Sequence, residues 1–189
     1  MRILFLLLVN ICLFANVGTF RNVYGGVEIL RNGTNIVAKT NDFILENDKI
    51  LVKSNGKAQI VFIDNTVLTL GKNSILEVKK YLINGANSKV NLKIDKGSYN
   101  VNSGEISKLA QKNFEFQAKT ATIGIRGTEF NGNLGKEDFV ACTDGEIEVK
   151  LGNKNYQVKK GDKLSYKNHQ MIHIKKLTPA EFKYIKLGN

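Results

Sequence analysis

The chain has 189 residues, of which 42% are hydrophobic, and its 28 Lys and Arg against 17 Asp and Glu give a net charge of +11. This composition excludes a disordered chain, and the length fits one domain of ordinary size. The charge favours anionic partners such as phospholipid head groups, acidic polymers or an acidic protein face. The lysines are spread along the chain without a nucleic-acid-reading motif, so we predict no nucleic-acid partner.

The first 15 residues have the pattern of a secretory signal peptide. Arg2 gives a basic start, the run from Ile3 to Ala15 is apolar apart from Asn10, and it ends in a small residue. A helix needs ~20 residues to span a bilayer, and this run is shorter. We therefore predict cleavage after Ala15 and a periplasmic or secreted protein without a membrane span after cleavage. Retention as an uncleaved anchor is the alternative.

From Val23 onward, short runs with alternating apolar residues are separated by Gly, Asn, Asp or Ser. The runs "KAQIVFID" and "DNTVLTLG" meet at Asp64 and Asn65, and Asn tolerates the left-handed backbone of a tight turn. The runs "KVNLKI", "NFEFQA" and "EIEVKL" repeat the alternation. The pattern predicts an all-β fold of short antiparallel hairpins. A sandwich and a rolled, solenoid-like stack share these strand lengths and turns, so both remain open.

Two segments have helical features. Residues 104–112 are predicted to form a turn or a short helix. The segment "TPAEFKYIKL" offers Thr178 as an N-cap, Pro179 at the first helical position and Glu181 near the positive end of the helix dipole. No linker divides the chain. The predicted organisation is a signal peptide at 1–15, an all-β domain at 16–176 and a C-terminal helix or tail at 177–189.

Residue types with catalytic or metal-binding chemistry form no recognisable site. His169 and His173 are four residues apart, but their segment alternates like a strand, which separates them along one face. Cys142 is the one cysteine left after removal of residues 1–15, and its strand-like surroundings predict a small buried hydrophobic side chain. We predict no enzyme, cofactor or metal. Four aspartates beside turns are predicted to cap backbone N–H groups: Asp48, Asp64, Asp144 and Asp162.

The segment "TATIGIRGTEF", Thr120 to Phe130, resembles the signature of the FecR-domain family, a periplasmic domain of exported bacterial proteins. The segment from Glu46 to Val78, which contains the pattern "F-x-D-x-T-x-L-x-L", is similar to the family's upstream pattern. The resemblance covers about Gly25 to Tyr166. It implies a periplasmic sensing or protein-binding domain, whereas the cytoplasmic helical region and membrane span of the anti-sigma members have no counterpart ahead of it. The motif residues are Thr122, Gly124, Arg126, Gly127, Thr128, Glu129 and Phe130.

Arg126 is the residue of this motif with the most specific chemistry. Alternation places Ile123 and Ile125 on one face of the strand, and Gly124 and Arg126 on the other. A guanidinium there is predicted to bind backbone carbonyls or a carboxylate in a fixed fork and so to hold adjacent loops. The alternative is an exposed arginine that binds an anionic ligand or partner.

The leading functional prediction is a non-catalytic exported module that binds an envelope or membrane-associated protein, as part of envelope signalling. The alternative is a binder of an anionic small molecule or glycan in the periplasm.

Overall fold

The computed structural model describes residues 15–186, and most of its regular structure is β-strand, as predicted. A single network of 17 strands is accompanied by two short α-helices and a 3₁₀ turn at Gln111–Asn113. The helices are α1 Ile106–Leu109 and α2 Pro179–Lys186. The strands are β1 Asn16–Tyr24, β2 Val27–Arg31, β3 Thr34–Val37, β4 Phe43–Leu45, β5 Lys49–Val52, β6 Lys57–Phe62, β7 Val67–Leu70, β8 Ile75–Leu82, β9 Lys89–Asn102, β10 Phe114–Ala118, β11 Ala121–Ile125, β12 Glu129–Leu134, β13 Asp138–Asp144, β14 Glu146–Leu151, β15 Lys154–Lys159, β16 Asp162–Lys167 and β17 Gln170–Lys176.

The strands pair into two layers that share β9. The first layer has the order β4, β1, β6, β7, β9, β12, β13, β16, β17. The second has the order β3, β2, β5, β8, β9, β10, β11, β14, β15. The two layers face each other as in a sandwich, and the chain passes back and forth between them as it winds along the stack. The architecture therefore combines the two predicted alternatives. The network is not closed, and the described edge strands are β3 and β4 at one end and β15 and β17 at the other.

Strand β9 changes layer at Gly97. Its residues 89–96 pair with β8 in the second layer, and its residues 99–102 pair with β7 in the first. Gly97 has a φ of +91°, and a Cβ on it would lie 2.5 Å from the Cα of Ser74. Only glycine satisfies both the left-handed backbone and the close approach at this crossing.

One strand pairing departs from the predicted antiparallel hairpins. Strand β10 runs parallel to β9, with Phe114 opposite Val90. Because β9 ends in the first layer, the chain has to cross back to the second layer before β10 can lie beside the first part of β9. Parallel strands need such a crossover connection. The connection contains α1 and the 3₁₀ turn, which accounts for the helical features predicted at residues 104–112.

The core lies between the two layers and is closed by aromatic contacts across them. Phe62 of β6 stacks on Tyr81 of β8 with ring centroids 4.2 Å apart and planes 4° apart. Phe116 of β10 meets Tyr99 and Phe130 at 4.8 and 5.5 Å between centroids. Aromatic pairs in these geometries add to the stabilisation from buried area. These contacts tie both layers into one hydrophobic core.

The C-terminal helix begins with the predicted cap. The Glu181 N–H donates to Thr178 Oγ1 at 3.2 Å, and the Thr178 N–H donates to Glu181 Oε2 at 2.9 Å, which is a reciprocal capping box. These hydrogen bonds from Thr178 lower the pKa of the Glu181 carboxyl to about 2. The helix is therefore fixed at its first turn to the end of β17.

Two predictions fall on chain segments at the ends. The predicted signal peptide lies outside the described residues except for Ala15, and residues 187–189 of the predicted tail lie outside them as well. Among residues 15–186, no helix is long and apolar enough to cross a membrane. The division into signal peptide, domain and tail stays a prediction.

Candidate functional site at the arginine motif

The arginine motif lies where the chain leaves the second layer and enters the first. Strand β11 ends at Ile125, a turn follows at residues 126–128, and β12 begins at Glu129. Gly127 has a φ of +67°, a left-handed backbone that makes the sharp change of direction after Arg126. The motif is thus a corner between two layers.

Burial divides the motif residues into three groups. Phe130 and Thr128 are buried, and Thr122, Gly124 and Glu129 are half-buried on the outer faces of their strands. Ile123 and Ile125 lie on one face of β11, as predicted, and both are buried in the core. The two remaining motif residues, which are exposed at the corner, are Arg126 and Gly127.

The guanidinium of Arg126 forms no hydrogen bond or ion pair with any part of residues 15–186. The predicted fork onto backbone carbonyls is therefore not seen, and the corner is held by Ser103 instead. The Thr128 N–H donates to Ser103 Oγ at 2.9 Å, and the Ser103 N–H donates to the Thr128 carbonyl at 3.0 Å. Nothing in the sequence around Ser103 distinguishes it from an ordinary polar strand end, so sequence reasoning missed it.

The arginine fork predicted for Arg126 is formed by Arg31. Its Nε and Nη2 donate to Asp48 at 2.8 and 2.6 Å, and Nη2 also donates to the Phe43 carbonyl at 2.9 Å. Asp48 is 1% exposed and also caps the Leu45 N–H at 2.8 Å, as predicted for a turn aspartate. The hydrogen bond to Asp48 raises the pKa of Arg31 above its usual value. Arg31 therefore holds the loops at the β3 and β4 end.

The polar residues of the upstream pattern "F-x-D-x-T-x-L-x-L" form a buried hydrogen-bond network, and its apolar residues lie in the core. Asp64 is 1% exposed and accepts hydrogen bonds from the Thr66 N–H and hydroxyl at 3.1 and 2.9 Å, and from the Tyr81 hydroxyl at 2.7 Å. It also accepts one from the Ile106 N–H at 3.1 Å. Burial and the charge of Asp64 raise the pKa of the Tyr81 hydroxyl well above its usual value. Because Asp64 anchors the start of α1, this pattern positions one flank of the arginine corner.

Two surface depressions lie on either side of the corner. One, of about 340 Å³, is bordered by Arg126, Lys112 and Lys150 together with the carboxylates of Glu115 and Glu148. The other, of about 500 Å³, is bordered by polar groups of the β9–α1 connection and by Gly127, Thr128 and Glu129. Arg126 borders the first depression, and Gly127 and Thr128 border the second.

The other sequence-derived candidates are not brought to the corner. Burial raises the pKa of the Cys142 thiol to about 11, and its Sγ–H donates to the Asp144 carbonyl at 3.2 Å, which fits the predicted small buried side chain. His173 lies within β17, whereas His169 lies in the turn before it. The described residues hold no group of three His, Cys, Asp or Glu placed to bind a metal ion.

The comparisons with known proteins agree on the family and the fold. The model of the FecR protein family matches residues 48–148, more than half of the chain, so the chain belongs to the FecR protein family. A search of curated proteins finds no match.

Two crystal structures of a "putative anti-sigma factor" from Parabacteroides distasonis ATCC 8503 have a similar fold, with TM-scores of 0.54 and 0.53 and 16% sequence identity. Each similarity covers 69% of this chain and 59% of that protein, so the chain spans less than two thirds of its length. At this identity the similarity shows a shared fold.

Proposed function

We propose that the protein is a non-catalytic, exported FecR-like module that binds a protein of the cell envelope and takes part in envelope signalling. Membership of the FecR family supports a regulatory domain, and the description of the Parabacteroides distasonis protein as an anti-sigma factor points in the same direction. The expected export rests on the signal-peptide pattern of residues 1–15.

The observation that carries this proposal is the exposure of Arg126. Packing explains why the motif contains Phe130 and Thr128, because both are buried. Packing does not explain the arginine, whose guanidinium has no partner within residues 15–186. A guanidinium binds carboxylates and backbone carbonyls in a fixed fork, and arginine is enriched at the energetic centres of protein interfaces. Arg126 is therefore placed to bind a group on another protein.

Crosslinking in the native envelope tests this proposal. The C-terminally tagged protein is crosslinked in cells and purified, and the co-purified proteins are identified by mass spectrometry. The Arg126→Ala variant is compared with Arg21→Ala, which removes another exposed arginine from β1. We expect one dominant envelope protein with the wild type and with Arg21→Ala, and its loss with Arg126→Ala. Equal recovery with both variants contradicts a binding role for Arg126.

A second candidate function is the binding of an anionic small molecule or glycan fragment in the depression of about 340 Å³ beside Arg126. Three cationic side chains border it, from Arg126, Lys112 and Lys150, but Glu115 and Glu148 offset much of their charge. Thermal shift against anionic metabolites and acidic sugars tests it. A ligand that raises the melting temperature of the wild type but not of Arg126→Ala supports this function. Recovery of one envelope protein that depends on Arg126 in the crosslinking experiment favours the first function instead.

A further inference from the structure

The net charge of the protein is concentrated in its last 41 residues. Residues 149–189 contain 10 lysines and only two acidic side chains, Asp162 and Glu181. Residues 16–148 contain 17 Lys and Arg against 15 Asp and Glu, and so are nearly neutral. The lysines are spread along the chain, but the acidic residues are not. Because the last segment forms the end of β14 together with β15, β16, β17 and α2, the basic excess lies at one end of the stack, where Glu146 and Glu148 of β14 are the neighbouring acidic residues.

Several basic side chains of this end are exposed. Lys154, Lys159 and Lys167 make no ion pair within residues 15–186. The β14–β15 and β16–β17 turns lie side by side, since a Cβ on Gly152 would lie 3.8 Å from the His169 carbonyl oxygen. Lys154 and Lys167, which lie beside these turns in different layers, therefore border one surface, and Lys159 lies at the other end of β15. The lysines of this surface that do form ion pairs are Lys160, Lys175 and Lys176.

The same end exposes apolar side chains between these lysines. Ile172 and Ile174 of β17 are 54% and 40% exposed. Tyr156 of β15 and Met171 of β17 are half-buried and pack on the end of the core, because no further strand covers them in the described chain. The end of the stack thus has an apolar centre and a basic rim, and we call it the basic end.

Protection of the sheet edge does not account for the basic end. Lysines on an edge strand oppose pairing with another chain. Exposed β-branched residues such as Ile172 and Ile174 favour such pairing, so a protected edge would be expected to lack them. The combination of lysines with exposed apolar residues instead matches a surface that binds something both anionic and apolar.

We propose that the basic end docks on an anionic lipid surface. All ten cations of residues 149–189 are lysines, and none is an arginine. Lysine is a strongly hydrated point charge that suits a diffuse field of head-group phosphates, whereas bidentate recognition of one carboxylate or phosphate favours arginine. Ile172, Ile174 and the ring of Tyr156 supply the apolar and amphipathic contacts that partition into the head-group boundary. Lys154 and Lys167 lie at the ends of their strands away from the arginine corner, and the proposal does not rest on Arg126.

Vesicle flotation tests the proposal on the protein purified as its cells process it. The vesicles are phosphatidylcholine with or without phosphatidylglycerol, at low and high salt. We expect binding only to the anionic vesicles and a loss of binding as salt rises. If residues 1–15 are not removed, every variant keeps them. Differences in binding between variants therefore report on the basic end alone.

Two variants with matched controls locate the contact. Replacing Lys154, Lys159 and Lys167 by Gln is expected to weaken binding on the order of a hundredfold. The control triple of exposed lysines from the middle of the stack, replaced by Gln, is expected to change binding much less: Lys72, Lys79 and Lys89.

The apolar contribution is tested by Ile172→Ser with Ile174→Ser, which is expected to weaken binding about tenfold or more. Ile63→Ser, at another exposed isoleucine, is its control.

Several results overturn the proposal. These are equal binding to neutral vesicles, equal losses with the two lysine triples, or no binding to anionic vesicles at low salt. Unchanged vesicle binding by the isoleucine variant, with competition by dextran sulfate, assigns the surface to soluble acidic polymers instead. A change from oligomer to monomer in the isoleucine variant, without vesicle binding by the wild type, assigns it to contacts between copies of the chain.

Discussion

Arg31 and Arg126 carry the same side chain in opposite surroundings. Arg31 binds the buried carboxylate of Asp48 and a backbone carbonyl, whereas Arg126 is exposed at the corner between two layers. The motif predicts a guanidinium fork at Arg126, but Arg31 forms that fork. Asp48 is 17 residues from Arg31, and only the pairing of β2 with β5 brings them together, so no local pattern could reveal the pair.

We expect Arg31→Ala to lower the free energy of unfolding by about 2–4 kcal/mol, because it leaves the Asp48 carboxylate buried without its charge partner. Arg126→Ala is the matched comparison, and we expect it to change the free energy of unfolding by less than about 0.5 kcal/mol. Urea unfolding followed by circular dichroism measures both. A loss with Arg126→Ala as large as with Arg31→Ala would show that Arg126 holds the fold.

Cys142 provides a prediction that depends on pH. Burial raises the pKa of its thiol to about 11, above the ordinary value of ~8.5 that the unfolded chain has. Between these values the folded state holds a proton that the unfolded state has lost, so the free energy of unfolding falls as pH rises. We expect this fall between about pH 8.5 and 11 to be less steep in Cys142→Ala than in the wild type.

Urea unfolding at several pH values measures the two slopes, and equal slopes would contradict a buried protonated thiol. The buried tyrosines Tyr81 and Tyr166 also have raised pKa values, and both variants share them. The difference between the slopes therefore belongs to the thiol.

At the scale of elements, β9 shows what alternation predicts and what it leaves out. The buried residues Val90, Leu92 and Ile94 alternate in one phase, and Tyr99 and Val101 alternate in the other. Alternation in "KVNLKI" predicts a strand over the first part, but it does not predict the reversal of phase. The reversal was visible in the sequence, but its meaning depends on which layer each half joins. That choice is made by long-range pairing with β8 and β7.

We expect Gly97→Ala to lower the free energy of unfolding by more than about 3 kcal/mol. The substitution combines a left-handed backbone with a Cβ 2.5 Å from the Cα of Ser74, and backbone cannot move aside as a side chain can. Gly33→Ala is the matched control, because Gly33 has a φ of +80° and no atom within 4 Å of its added Cβ. It should cost only about 1–2 kcal/mol for the left-handed backbone. Similar losses in both variants, measured by thermal or urea unfolding, would show that β9 does not cross between layers at Gly97.

At the scale of the whole molecule, the family motifs predicted more of the fold than of the site. The segments Glu46 to Val78 and Thr120 to Phe130 indicated the family, which the match over residues 48–148 confirms. The alternating apolar residues of both segments are buried, so these segments report on the packing of the fold. The basic end lies outside that match, and it arises from a shortage of acidic residues, which a search for basic clusters does not detect.

The expected signal-peptide cleavage site lies directly before the first strand of the fold. Strand β1 begins at Asn16, and Asn16 Oδ1 accepts a hydrogen bond from the Gly18 N–H at 2.9 Å, so cleavage after Ala15 would leave the first strand whole. We expect the wild-type protein in the periplasmic or secreted fraction, with Asn16 as its first residue by N-terminal sequencing. Ala15→Tyr, which removes the small residue before the cleavage site, should accumulate as unprocessed chain in the membrane fraction. Wild-type protein that keeps Met1 and stays in washed membranes would establish the uncleaved anchor, and wild-type protein in the cytosol would exclude export.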